Sequence, residues 1–532
     1  MDELVADVII VGFGAAGACA ALEAADAGAE VIIVERFAGG GASAVSGGVV
    51  YAGGGTAQQV DAGVDDSVDA MYAYLKLEAG DVVAEKTLRR FCEGSREMIT
   101  WLEGNGVPFE GSLCPYKTSY PSDAHYLYYS GSEAAGGFRD AAKPAPRGHR
   151  VKGPGTSGKM LMTRLEEAVR ERGIRMLTQT HVRGLIQEDG RVTGLVADTL
   201  ENAPAGVKAR HRRLAQYAAK PGIYMPSLRK SLHRRVERLE RAHGRELRIT
   251  ARRGVVLAAG GFIANREMAR EHAPRYRGGL ALGTSADDGS GIRLGVEAGG
   301  ATGELGRISA WRFVTPPSAF LGGIIVDAGG RRVIDESRYG AAVGEKLIEE
   351  HESKGWLLVD APIVAEARRD GRKQSQWFQW LQLRYLLRRG RVIGATVEEA
   401  ARKAGVDPQG LRASVEAYHG ASDPVGKPEE FRRRLENPPF SLIDISVRPN
   451  LGYPTPMLTL GGLVVDEDTG AVRDAAGQSI PGLYAAGRTA VGICSRSYVS
   501  GLSLADCVFS GRRAGINSAL AQGVLDKNEN VF

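Results

Sequence analysis

Asp7-Val8-Ile9-Ile10-Val11-Gly12-Phe13-Gly14-Ala15-Ala16-Gly17 leads through small residues to Gly28, and Glu30-Val31-Ile32-Ile33-Val34-Glu35-Arg36 follows. The unbroken apolar run reads as a parallel strand buried on both faces. The G-x-G-x-x-G spacing makes a tight turn that opens a helix, and the alanines let the helix pack closely on the strand. A second apolar strand then ends in an acid. In this order the parts form a dinucleotide cradle. Backbone N–H groups around Gly12, Gly14, Ala15, Ala16 and Gly17 face a pyrophosphate, while Glu35 accepts from ribose hydroxyls.

Working outward, Gly39-Gly40-Gly41-Ala42-Ser43-Ala44-Val45-Ser46-Gly47-Gly48 is a second small-residue loop directly after Glu35-Arg36. A nicotinamide enzyme has no use for it, whereas a flavoprotein must run its backbone along the ribityl chain and the ring. Here the sequence resembles the fumarate-reductase-like flavoprotein superfamily, whose members bind FAD at these positions. The resemblance implies FAD contacts from Arg36, Gly41, Ala42, Ser43, Ser46, Gly47 and Gly48. It also implies them from Val182, from Asp288 in a Gly-Asp-Gly-like turn, and from Gly487, Arg488, Ser503 and Leu504. Members that link FAD covalently use a histidine in this loop. Arg36 to Gly48 contains none, so non-covalent FAD is expected.

With 532 residues the chain exceeds one ordinary core. The expected fold is α/β: a Rossmann-type, glutathione-reductase-like FAD-binding domain with a parallel sheet and an antiparallel ribbon. An α+β capping domain for substrate interrupts it. The boundaries read as 1–300 for the first part, with a basic insert at 203–248, then 301–443 for the cap and 444–532 for the return. The 43% hydrophobic and 25% charged content suits a soluble globular protein. The start is acidic and enters a strand at once, so no signal peptide is expected. No apolar run is long enough to span a bilayer. Five scattered cysteines show no metal-like spacing and suit a reducing compartment. A cytoplasmic protein is expected, with peripheral contact to the inner face of the cell membrane as an added option.

That option rests on the insert. Residues 207–248 carry a net +10, against +5 for the whole chain. Leu228, Leu232, Val236 and Leu239 fall on one helical face among the basic residues, the pattern of an interfacial segment. A solvated helical excursion or a subunit-contact arm accounts for the same residues, and nucleic acid is not expected as a partner. Gly153-Pro154-Gly155-Thr156-Ser157-Gly158-Lys159 imitates a phosphate loop, but Met160 stands where the Mg²⁺-binding hydroxyl belongs and no apolar strand leads in. It reads as a helix start.

Tyr498-Val499-Ser500-Gly501-Leu502-Ser503-Leu504, Glu336-Ser337-Arg338-Tyr339, Tyr129-Ser130-Gly131 and Pro144-Ala145-Pro146-Arg147-Gly148-His149 carry a narrower resemblance, to the 3-ketosteroid Δ4-(5α)-dehydrogenases. It implies that a 3-oxo-5α-steroid stacks over the flavin. Tyr498 then donates to the C3 oxygen, Ser500 takes the C4 proton, Tyr339 relays it, and N5 of FAD accepts hydride from C5. Tyr129, Trp311 and Phe313 are expected pocket walls. An external acceptor must take the electrons, since nothing matches haem or iron–sulfur ligation. Three alternatives stand beside this reading. They are a Δ1-dehydrogenase, a fumarate-reductase-like enzyme that would need Arg332, Arg338 or Arg496, and a membrane-surface electron-transfer subunit.

Overall fold

The structure is a computed structural model that describes residues 2–522. Strand β1 (Asp2–Val11) lies in a mainly parallel sheet, and helix α1 (Ala15–Asp26) follows it. Strand β2 (Val31–Val34) flanks β1 on one side. Val8 and Ile10 enter one core and Ile9 and Val11 another, so both faces of β1 are covered and its sequence shows no alternation. Gly12 closes the strand at φ +97°; a β-carbon there would sit 2.7 Å from the Ala258 carbonyl oxygen.

The ribbon consists of β3 (Thr180–Glu188) and β4 (Arg191–Thr199), joined by a tight turn. The insert follows β4 as two helices, α2 (Ala205–Ala219) and α3 (Pro226–His243), with a short turn at Gly222–Tyr224. Strand β5 (Arg245–Leu257) then runs back antiparallel to β4, with Arg245 opposite Thr199. From Leu247 to Leu257 it also pairs parallel with β1 on the side opposite β2, and Ser479–Ala485 pairs beyond it.

The insert corrects one expectation. Leu232 and Val236 are buried at 9% and 0% exposure, so the apolar stripe faces the protein rather than an interface. The exposed large apolar side chains of the insert are Tyr217 near the end of α2, Tyr224 and Met225 at the turn, and Leu228, the first member of the stripe, in the first turn of α3. No helix among the described residues is long and apolar enough to cross a membrane.

A second apolar core gathers around the antiparallel sheet of Ile324–Val326, Trp356–Val359, Phe440–Asp444 and Arg391–Gly394. Helix α4 (Gly340–Glu350) packs into it through Val343 and Leu347. Between the cores lies a small sheet of Leu280–Ala281, Pro456–Thr459 and Ile308–Ala310. The closing helix, α5 (Leu502–Leu520), returns to lie against α1. Missing side chains set the spacing: β-carbons at Gly511 and Gly515 would fall 2.4 and 2.3 Å from the carbonyl oxygens of Ala16 and Ala20. Two helices of such composition meet backbone to backbone, with the tenth residue of α5 level with the second of α1.

Candidate functional site

At the cradle, α1 begins at Gly14, which offers no side chain as a cap. Its first N–H groups are therefore left for a ligand, except that Ala15 N–H donates to Ser43 Oγ at 3.1 Å. Glu35 is 7% exposed and accepts one backbone N–H on each oxygen, from Phe13 at 2.9 Å and Phe37 at 2.8 Å. Burial raises its pKa above the ordinary glutamate value. The loop after β2 holds Gly41 and Ala42 in one helical turn. Ser46 Oγ accepts from Gly48 N–H, and Gly47 lies against the Tyr120 ring. Val182 sits in β3 with its side chain in the core.

Charges close this end. Arg36 donates twice to Glu240 of α3, at 3.1 and 2.9 Å, and once to Asp288 at 3.1 Å. The neighbouring Asp287 accepts from Arg488 at 2.6 Å. Arg488 Nη1 is buried without a hydrogen-bond partner among the described residues. An orphaned guanidinium nitrogen beside Gly487, bare helix N-termini and a buried acid after β2 together fit a dinucleotide.

The other end is aromatic. The Tyr498 ring stacks on Trp311, with centroids 5.0 Å apart, and lies 6.0 Å from the ring of Tyr339. Phe313 meets both Trp311 and Tyr339, at 5.8 and 5.4 Å. The four rings come from segments 311–313, 339 and 498, so a wall of one core meets the closing segment. Ser500 Oγ lies 2.9 Å from the Tyr128 hydroxyl. Burial pushes the phenols of Tyr128, Tyr339 and Tyr498 above the ordinary tyrosine range, and the Ser500 hydroxyl offsets part of the rise at Tyr339. All three phenols are protonated donors at neutral pH. Ser503 and Leu504 occupy the first turn of α5, which starts from Gly501 at φ +92° with its N–H groups toward this end.

Tyr128, which the sequence did not single out as a site residue, reaches this end. Tyr128, not Tyr129, meets Ser500, because consecutive residues of the strand Leu127–Tyr128 and its continuation point to opposite sides. The Tyr129 carbonyl instead accepts from Lys117. Two serines nearby were not anticipated. Ser500 N–H donates to the Ser130 carbonyl at 3.2 Å, and Ser130 Oγ donates back to the Ser500 carbonyl at 3.0 Å. Tyr339 N–H donates to Ser132 Oγ at 3.2 Å. The segment 130–132 thus braces Tyr339 and the closing segment together. Its Ser-x-Ser spacing was a weak sequence signal, since only the fold supplies the partners.

Of the arginines a carboxylate reductase would need, Arg332 is committed elsewhere, buried between Glu336 and Asp423. Arg338 lies over the Phe138 ring with its Nε unpartnered among the described residues, and Arg496, exposed beside Gly80, lines a small cavity with Ser309, Ala341 and Tyr498.

Comparison with known proteins agrees with this geometry. The family model described as FAD binding domain matches residues 7–501. A 3-oxo-5-alpha-steroid 4-dehydrogenase of Comamonas testosteroni is 40% identical over 502 residues, covering 90% of this chain and 92% of that protein. The crystal structure of the 3-ketosteroid-delta4-(5alpha)-dehydrogenase of Rhodococcus jostii RHA1 in complex with 4-androstene-3,17-dione superposes with a TM-score of 0.80. It has 32% identity and covers 98% of both chains. A 3-ketosteroid delta1-dehydrogenase of Sterolibacterium denitrificans shares the fold, at TM-score 0.65 and 21% identity over 97% of this chain and 99% of that one. The chain belongs to the FAD binding domain family of flavoproteins and, within it, to the 3-oxo-5α-steroid 4-dehydrogenases.

Proposed function

We propose that this protein is an FAD-dependent dehydrogenase that introduces the C4–C5 double bond into 3-oxo-5α-steroids. The observation that carries the reading is the meeting of Tyr498, Tyr339 and Ser500 beside the aromatic wall of Trp311 and Phe313. FAD, held by the cradle of Gly12 to Gly17, Glu35 and Arg488, supplies a hydride acceptor when bound. The residues at the other end handle the proton. The Tyr498 phenol is held neutral by burial and donates to the C3 oxygen, which stabilises enolate character and acidifies C4. Ser500 Oγ takes the C4 proton. A serine hydroxyl is a weak base, so its own proton must move on as the new one arrives. Two phenols flank it for that purpose, Tyr339 from the cap and Tyr128 from the brace. Trp311 and Phe313 keep water from the enclosure and give flat apolar area to a fused-ring substrate. Segment 301–443 acts as the substrate cap.

Completion of a turnover needs an external electron acceptor. The insert contributes a surface for the membrane from which a lipophilic substrate comes. That surface is its tip, where Tyr217, Tyr224, Met225 and Leu228 are 48%, 47%, 52% and 37% exposed beside Lys220 and Lys230. Apolar rings with a cationic rim suit an anionic bilayer. Co-sedimentation with phosphatidylglycerol vesicles tests it: the triple variant Tyr224→Ser, Met225→Ser, Leu228→Ser should stay in the supernatant, and undiminished sedimentation counts against the contact.

The reaction is tested by anaerobic mixing of the holoenzyme with a 3-oxo-5α-steroid. Flavin absorbance should bleach within a turnover, and mass and NMR analysis should find the 4-ene. A 1-ene product, or no bleaching, sinks the assignment.

A further inference from the structure

The basic insert makes a second set of contacts that its charge alone does not suggest, and these converge on the cradle. Glu240 of α3 is 8% exposed. It receives the bidentate fork of Arg36, the residue directly after the ribose-facing acid Glu35. The same carboxylate lies 3.1 Å from Nε2 of His211, on α2, which is fully buried. The His211 ring stacks on Phe37 at 6.0 Å, and its Nδ1 meets Gln179 at 2.9 Å. At the far end of α3, Arg229 is 8% exposed and donates to the carbonyl oxygens of Ala281 and Gly283, at 3.1 and 3.2 Å. Gly283 opens the turn that carries Asp287 and Asp288.

Residues 35–37 and 281–288 are distant in sequence and form two separate walls of the cradle. The insert touches both, and Arg36 joins Glu240 to Asp288 across them. We infer that α2 and α3 form a clamp on the adenosine end of FAD, in which Glu240 and Arg229 fix the two cradle walls against each other and slow release of the unlinked cofactor. The physical reason is preorganisation. Walls already held by charge-assisted bonds lose little freedom when the ligand enters and must break those bonds to let it leave. Because no histidine in the loop after β2 offers a covalent link, retention of FAD depends on such non-covalent closure. The clamp rests on the reading of residues 35–36 as the ribose end.

The test uses full-length protein purified with its flavin. Release is followed as recovery of free-FAD fluorescence after dilution, and affinity by titrating FAD into the apoprotein. Glu240→Gln keeps the shape and removes the charge; Glu240→Asp keeps the charge. Release should be about tenfold faster in Glu240→Gln, the worth of a charge-assisted pair. It should be intermediate in Glu240→Asp, with the circular dichroism of the apoprotein unchanged. Arg229→Gln should also speed release, and it decides the matter alone should Glu240→Gln not fold. Wild-type release rates in both Glu240→Gln and Arg229→Gln overturn the clamp while leaving the FAD site intact. A wild-type protein without stoichiometric flavin overturns instead the reading of the cradle on which the clamp depends.

Discussion

At the Glu35 end of the cradle the walls are held by charge, with Arg36 between Glu240 and Asp288 and Arg488 on Asp287. At the Tyr498 end they are held by rings, and Tyr498, Tyr339, Tyr128 and Ser500 bring hydroxyls together there. The difference follows from what each end must do. A pyrophosphate and ribose present fixed charge and donors, so ionic partners bind and orient them. The reacting ketone is neutral and becomes anionic only on the way to product. A permanent cation would hold ground state and product alike, whereas a phenol in a low-dielectric enclosure gains strength as charge develops.

The largest expected effect is at the donor. Tyr498→Phe should lower kcat/KM on the order of a thousandfold, with bound flavin and its absorbance unchanged; a loss smaller than tenfold would place the C3 oxygen elsewhere. Ser500→Ala should follow at about a hundredfold, chiefly in kcat, because the acceptor of the C4 proton is gone while the binding surface stays. Single-turnover flavin reduction separates this from product release. The two flanking phenols are next. Tyr339→Phe should cost about tenfold and Tyr128→Phe only a few-fold, since either hydroxyl offers Ser500 an exit. Should the double variant match the worse single variant, the phenols act in one chain and not as alternatives.

The smallest effect concerns a carboxyl group that breaks the contrast. Asp506 lies in the second turn of α5, accepting from Cys494 N–H, and burial raises its pKa to about 6. The folded state therefore binds this proton more tightly than the unfolded chain. The associated stability is full below about pH 4 and lost as pH rises through 6, on the order of 3 kcal/mol. Asp506→Asn should raise Tm at pH 8 and leave it nearly unchanged at pH 4. An equal shift at both would mean that the acid titrates normally.

The cradle was legible because its determinants are local: a strand, three glycines and an acid in fixed spacing need no distant partner. Tyr498, Ser500 and Tyr339 were named from family resemblance and Trp311 and Phe313 as apolar walls, and the four rings lie together in the structure. What escaped depends on contacts far apart in sequence. Leu232 and Val236 form the same stripe whether they face lipid or protein, and only the packing of α3 against α2 and the cradle chooses. Arg36 was read as a cofactor residue, but its partner Glu240 lies 204 positions away. Tyr128 and Tyr129 differ by one step of strand register, which composition cannot resolve.

The joint between α1 and α5 has a consequence for variation. Gly511 and Gly515 sit on Ala16 and Ala20 with no space for a methyl group. Any larger residue there must lift the whole closing helix, and with it the turn that carries Tyr498 and Ser500. Substitutions in this seam will therefore masquerade in a random screen as lesions at Tyr498 and Ser500, and homologues that differ at these two positions should differ in how those two hydroxyls are seated.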